Sequence, residues 1–296
     1  MRLIRDILKE HQLLGEPSIS CEFFPAKTPE GERTLLGKVV PRLKEISPTF
    51  FSVTYGAGGA TQEKTLGIVD QIQREQGIPT MAHLTCVGST REDIGNFLED
   101  AKNSGISNIL ALRGDPPPGQ DAFVKPEGGF EFSYELVEYI RGCGQFGIGV
   151  AGFPEGHIAC TDGREVDWDR LKRKVDCGAD FIITQLFFDN SDFYTFRDYL
   201  RAKGMKVPIL AGIIPILSGR QIQRFTKLCG SKLNEEISSR LNELGDDDDA
   251  VSAFGIDYAT RQCEELIANG VEGLHFYTLN KSRATLEVAR NLGLGK

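Results

Sequence analysis

The sequence predicts an α/β fold of one particular kind, a single (β/α)8 (TIM) barrel, and two observations carry that reading. Eight apolar, β-rich runs each end in a polar or glycine-rich turn and give way to a helical pattern. A length of 296 residues suits eight such units with modest insertions. The runs are Ile19–Phe24, Phe50–Thr54, Thr80–Thr85, Asn108–Arg113, Ile148–Gly152, Phe181–Gln185, Ile209–Ile214 and Leu274–Tyr277. The helical patterns between them run to about 12–20 residues, the size of a crossover in a parallel sheet.

Taken in order, the elements have local justification. Met1–Gly15 is charged and amphipathic, with Leu3, Ile4, Ile7 and Leu8 at helical spacing. It predicts a lead-in helix packed on the barrel, and it lacks the long apolar stretch of a signal peptide or membrane span. Thr28 before Pro29, Thr90 with Asp93 three residues on, and Ser218 after the seventh run mark helix starts. Gly114–Phe130, rich in proline and glycine, is a long loop after strand four. Ser218–Gly270 predicts two or three extra helices between strands seven and eight, with the acidic run Asp246–Asp249 starting one of them as a solvated turn. No Pro/Ser-rich linker divides the chain, so residues 1–296 read as one catalytic domain.

Composition removes several classes of function. A net charge of −8 lacks the basic footprint of a nucleic-acid or acidic-membrane binder. The seven cysteines are scattered and form no C-x-x-C, unlike a disulfide framework or zinc site, so a reducing, cytoplasmic setting is expected.

In a barrel of this kind the chemistry sits at the carboxyl ends of the strands. Polar residues at those ends are Glu22, Thr54, His83, Thr85, Arg113, Asp115, Glu155, His157, Gln185, His275 and Tyr277. Strand alternation puts Ser20, Glu22 and Phe24 on one side and Cys21 and Phe23 on the other. Glu22 is therefore expected among apolar neighbours near the mouth. Burial there disfavours its charge, which is what a general acid needs. His275, between Leu274 and Phe276, reads as a satisfied core histidine. Gly56–Ala60 follows a strand but lacks the G-x-G-x-x-G spacing, and reads as a tight turn or a close backbone approach to a ligand. There is no P-loop, no G-x-S-x-G, no strand-end lysine for Schiff-base chemistry, and no metal-ligand spacing among His83, His157 and His275.

From Ser20-Cys21-Glu22-Phe23-Phe24-Pro25 onward the chain resembles the methylenetetrahydrofolate reductase family. Similar segments recur at Val53–Gly59, Ala82–Cys86, Leu112–Asp115, Phe153–His157, Leu171–Asp176, Thr184–Asp189 and His275–Asn280. The resemblance implies a FAD-containing barrel that reduces 5,10-methylenetetrahydrofolate to 5-methyltetrahydrofolate with NADH or NADPH, the two substrates alternating at one flavin face. It implies Thr54, His83, Arg113, Gly114, Asp115, Phe132, Phe153, His157, Asp167, Arg170, Arg173 and Lys174 as FAD-binding residues. Glu22 would be the general acid, with Asp115 near the flavin N1 edge tuning its potential. Glu22, Asp115, Gln185 and Tyr277 would meet the folate. A homodimer or homotetramer is expected.

Departures from the pattern occur at Ile216–Arg220, where some bacterial members carry a substrate-stacking aromatic, and at Phe153 and Arg170, where some have Tyr and Asn. The chain ends at Lys296 after the eighth helical pattern, so no S-adenosylmethionine feedback is expected. Two other readings stand beside this one: another FAD-dependent barrel oxidoreductase, such as one acting on proline, and a flavin- or folate-binding protein without chemistry.

Overall fold

The eight runs become eight parallel strands that pair in sequence order and close on themselves, β8 returning to β1. They are seen in a computed structural model that describes residues 2–55, 62–116, 119 and 123–295. The strands are β1 (Ser18–Phe23), β2 (Phe50–Val53), β3 (Thr80–Thr85), β4 (Asn108–Leu112), β5 (Gly147–Gly152), β6 (Phe181–Thr184), β7 (Ile209–Ile213) and β8 (Gly273–Tyr277). Nearly every strand residue is buried, because helices cover the outside and side chains fill the inside. The glycine-rich turn at 56–60 and the prolines at 117 and 118 lie outside the described residues.

The lead-in helix α1 (Ile4–Leu14) closes the amino-terminal end of the barrel. Its Ile4 and Leu8 pack with Phe50, Met81, Leu110, Phe181, Ile183 and Leu210, which project inward from five strands. Asn108 ties it down from the start of β4. Its Oδ1 accepts from the Ile4 N–H at 2.8 Å and its Nδ2 donates to the Arg2 carbonyl at 3.2 Å.

The first crossover departs from the expected single helix. It runs through α2 (Pro29–Thr34), a π turn at Leu35–Val39, α3 (Val40–Leu43) and a 3-10 turn at Lys44–Ile46. Pro41 has no N–H to donate four residues back, so the ladder widens just before it. The Thr28 hydroxyl caps α2 by accepting from the Gly31 N–H at 3.1 Å.

The next crossovers are more regular: α4 (Gln62–Gln76), α5 (Arg91–Asn103), α6 (Ser133–Cys143), α7 (Arg164–Asp176) and α8 (Asn190–Ala202). Thr90 and Asp93 form the expected capping box of α5. The insertion between β7 and β8 holds three helices, α9 (Gly219–Cys229), α10 (Glu235–Leu244) and α11 (Asp248–Ala268), before α12 (Arg283–Asn291) completes the ring. Ser218 precedes α9 without a side-chain cap, whereas Asp247 does cap α11. The three helices share a small core with the ends of β6 and β7, including Leu186, Ile216, Ile237 and Val251. Gly255 lets α11 lie against that loop, since a Cβ there would sit 2.0 Å from the Ile216 carbonyl oxygen.

Candidate active site

Alternation along β1 turns Cys21 and Phe23 outward into the helix-facing core and leaves Ser20 and Glu22 inside the barrel. Glu22 is buried, but its neighbours correct the expected apolar setting. Oε2 lies 3.4 Å from His83 Nε2 on β3 and 3.4 Å from His275 Nε2 on β8. The contact with His275 is a hydrogen bond; His83 Nε2 makes none. Burial pushes the His83 imidazole down to about 4, partly opposed by Glu22, so it is neutral near pH 7. On its far side the His275 Nδ1 lies 2.8 Å from Ser20 Oγ, which can also donate to the Leu274 carbonyl at 3.4 Å.

This chain of groups accommodates a proton in two arrangements. With Glu22 ionised, His275 donates from Nε2 and Ser20 donates to Nδ1. With Glu22 protonated, its hydroxyl donates to Nε2, Nδ1–H donates to Ser20, and Ser20 turns to Leu274. In both arrangements the Glu22 carboxyl keeps its hydrogen bond to His275, while His83 Nε2 stays unpartnered.

A second, cationic group lies around the ends of β4 and β5. Lys174 on α7 donates to the Ala151 carbonyl at 3.2 Å; burial lowers its pKa to about 8, with Asp167 opposing and Arg113 assisting. His157 is lowered by burial too, while Arg113, Lys174, Asp167 and Asp115 all act on it. Its Nδ1 accepts from the Ala159 N–H at 3.0 Å, its backbone N–H donates to Asp167 at 3.2 Å, and its ring stands edge-on to Phe153 at 4.5 Å. Arg173 lies 3.6 Å above the Tyr134 ring, which stacks on the exposed Phe132. Gly114, at φ +85°, presses the backbone against β3, where a Cβ would meet Val87 at 2.6 Å and Thr85 at 3.1 Å. Thr85 Oγ1 beneath it is buried and has no partner.

A model of the family described as methylenetetrahydrofolate reductase matches residues 5–293. The chain belongs to the methylenetetrahydrofolate reductase family. It is 41% identical over 299 residues to methylenetetrahydrofolate reductase (NADH) 1 of Arabidopsis thaliana, covering 98% of this chain and 50% of that protein. It is 34% identical over 292 residues to 5,10-methylenetetrahydrofolate reductase of Escherichia coli (strain K12), covering 98% and 96%. The chain thus spans about half the length of the plant relatives it matches. Among solved structures, an uncharacterized protein from Clostridium thermocellum described as binding two copies of 5-methyl-5,6,7,8-tetrahydrofolic acid shares the fold, with a TM-score of 0.61, 16% identity, and coverage of 96% and 97%.

Set within the methylenetetrahydrofolate reductase family, the residues singled out from sequence sort into three places. Glu22 and His83 meet at the barrel centre, joined by His275, whose second role the sequence did not reveal. Arg113, Asp115, His157, Asp167 and Lys174 gather at the β4–β5 side, Asp115 exposed. Gln185, half-buried beyond β6, accepts the Leu186 N–H at 2.9 Å and lines a small cleft with Phe153, Glu155, Cys229 and Ser231. Glu155 accepts from the Lys232 N–H at 3.1 Å, and burial raises its pKa. Thr54 is half-buried, its carbonyl accepting from Thr65 at 3.1 Å. The Tyr277 hydroxyl is committed to the Thr184 carbonyl at 2.7 Å. Arg170 is exposed and paired with Asp162 at 2.8 Å. Tyr134 and Ser20 were missed: nothing in the sequence signals that Tyr134 lies under Arg173, and Ser20 is one more small residue in a strand.

The donor set fits FAD. Lys174, Arg113 and Arg173 are the charges a diphosphate needs, and the orphaned Thr85 hydroxyl beside Gly114 is a buried group suited to a polar ring edge. Among the described residues no cluster of His, Cys, Asp or Glu is arranged to hold a metal. No described helix is long and apolar enough to cross a membrane.

Proposed function

We propose that this protein reduces 5,10-methylenetetrahydrofolate to 5-methyltetrahydrofolate with electrons from NADH or NADPH, in the cytoplasm. The observation that carries the reading is Glu22, held between two imidazoles at the inner end of the mouth, in a chain of the methylenetetrahydrofolate reductase family. Arg113, Arg173 and Lys174 would hold the diphosphate of FAD, and the chemistry that FAD supplies when bound is hydride transfer between nicotinamide and folate.

The protein's own residues handle the proton. The methylene bridge between N5 and N10 of the folate opens to an electrophilic iminium, and protonation of N10 assists that opening. Glu22 would be the donor, with His275 Nε2 3.4 Å from its carboxyl oxygen and Ser20 behind the imidazole. Neutral His83 beside it adds no positive charge to the oxygen that gives up the proton. Gln185 and Asp115 would orient the pterin, and the negative charge of Asp115 would tune the redox chemistry that a bound FAD supplies. Both substrates enter by the same mouth and therefore take turns.

An anaerobic visible spectrum tests this directly. NAD(P)H should bleach the bound flavin, and methylenetetrahydrofolate added afterwards should restore its colour. Flavin that bleaches and stays reduced in the presence of folate would refute the reading. The Glu22→Gln variant should keep its reduction by NAD(P)H while losing the folate half-reaction by roughly 10²–10⁴-fold, the range for a positioned acid. Equal loss of both halves would assign Glu22 a structural role.

A further inference from the structure

Phe24 and Phe132 are the exposed members among the 18 phenylalanines, at 39% and 42%. A lone exposed ring needs no explanation. Phe24, however, lies just past the end of β1, two residues beyond Glu22, and its N–H and C=O turn toward the chain after β8 as the Glu22 carbonyl does, which continues the alternation that puts Glu22 inside the barrel. Its backbone is also held by a device found at no other strand end among the described residues. The side chain of Asn280 grips both polar groups of Phe24: Oδ1 accepts from its N–H at 2.9 Å and Nδ2 donates to its carbonyl at 2.8 Å. One turn of chain back, the Thr278 hydroxyl donates to the Glu22 carbonyl at 2.6 Å and accepts from the Asn280 N–H at 3.2 Å.

The corner that does this is strained. Leu279 and Asn280 adopt φ of +51° and +57°, the left-handed region that asparagine tolerates and leucine resists. Strain of this sort persists where surrounding structure over-determines it, and it clusters at ligand sites. Here it fixes an acid and an aromatic face relative to each other, through one three-residue corner, at the place where a planar substrate must arrive.

We propose that Phe24 is the aromatic face against which a planar ring of the folate substrate rests, and that Asn280 is the positioning residue that keeps it there. The proposal rests on the folate-reductase reading above. Ring contact discriminates by both area and ring orientation, so it sets affinity for the substrate while leaving the acid's chemistry alone.

Steady-state kinetics on Phe24→Leu test it, with flavin content and the rate of flavin reduction by NAD(P)H as controls. Phe24→Leu should hold its full complement of flavin and be reduced as the parent is. Its KM for methylenetetrahydrofolate should rise by about five- to tenfold with kcat little changed, the scale of one aromatic contact. Phe24→Tyr should restore the KM, and Asn280→Ala, which leaves the ring but frees its backbone, should reproduce the rise. An unchanged folate KM in Phe24→Leu overturns the proposal, and so does loss of flavin from that variant, which would make the ring a structural element. If the parent protein itself fails to be reoxidised by folate, the functional reading falls and this one with it; turnover by the parent alongside an unaltered variant removes Phe24 alone.

Discussion

At the scale of single residues, Lys174 shows how burial converts into behaviour. Its ammonium is forced down to about 8 by desolvation, against 10.5 for a free lysine. The charged form costs stability below about pH 8, and that cost fades as the pH rises from there toward 10.5. Ligand binding has the opposite sign. A diphosphate favours the ammonium, so above about pH 8 FAD must bring a proton with it. FAD affinity, followed by fluorescence quenching from pH 7 to 9.5, should therefore weaken by up to roughly tenfold per unit above pH 8. Lys174→Met should bind more weakly throughout and lose that slope. A parent protein with flat affinity over this range would show that the lysine does not face the cofactor. The candidate constellation around Glu22 was only half legible in the sequence. Glu22 and His83 stood out as polar residues at strand ends. That His275 shares an oxygen with them depends on closure of the barrel, which sets Ser20 opposite His275 and Glu22 opposite Tyr277. Read along the chain, His275 is a core histidine, and it is one: it is fully buried, yet its second nitrogen reaches the acid.

At the scale of elements, every strand lies within one residue of its apolar run, because burial on both faces writes itself as continuous β-rich sequence. The first crossover was not legible to that degree. Pro41 breaks its ladder, and the pieces on either side are held by packing of Leu35, Val39, Val40 and Leu43 rather than by helix propensity. The lead-in helix depends on tertiary contacts as well. Asn108 supplies the partner for the Ile4 N–H, where no side chain of the helix's own caps it. Asn108→Ala should thus orphan buried backbone groups and destabilise the fold by about 1–3 kcal/mol. Urea denaturation with an unchanged slope but lower midpoint would register it; a change under 0.5 kcal/mol would mean that water replaces the asparagine.

At the scale of the molecule, a cofactor that spans the ends of several strands binds only when the barrel is closed. Saturating FAD should therefore raise the melting temperature, by an amount equivalent to about 2.7 kcal/mol at a hundredfold excess over Kd. Removal of flavin should lower it again, and a melting temperature indifferent to FAD would argue that the cationic group is not its site. The same closure has a consequence at the other end. Below Ser20 and His275 the barrel is filled chiefly by the apolar side chains of Phe50, Phe181, Leu210 and Leu110 and the underside of α1. The hydrogen-bonded chain from Glu22 through His275 runs inward to Ser20 and the Leu274 carbonyl. On the proposed mechanism, a proton given up by Glu22 would return through the mouth by which substrates come and go, so that emptying the site and rearming it would become a single event.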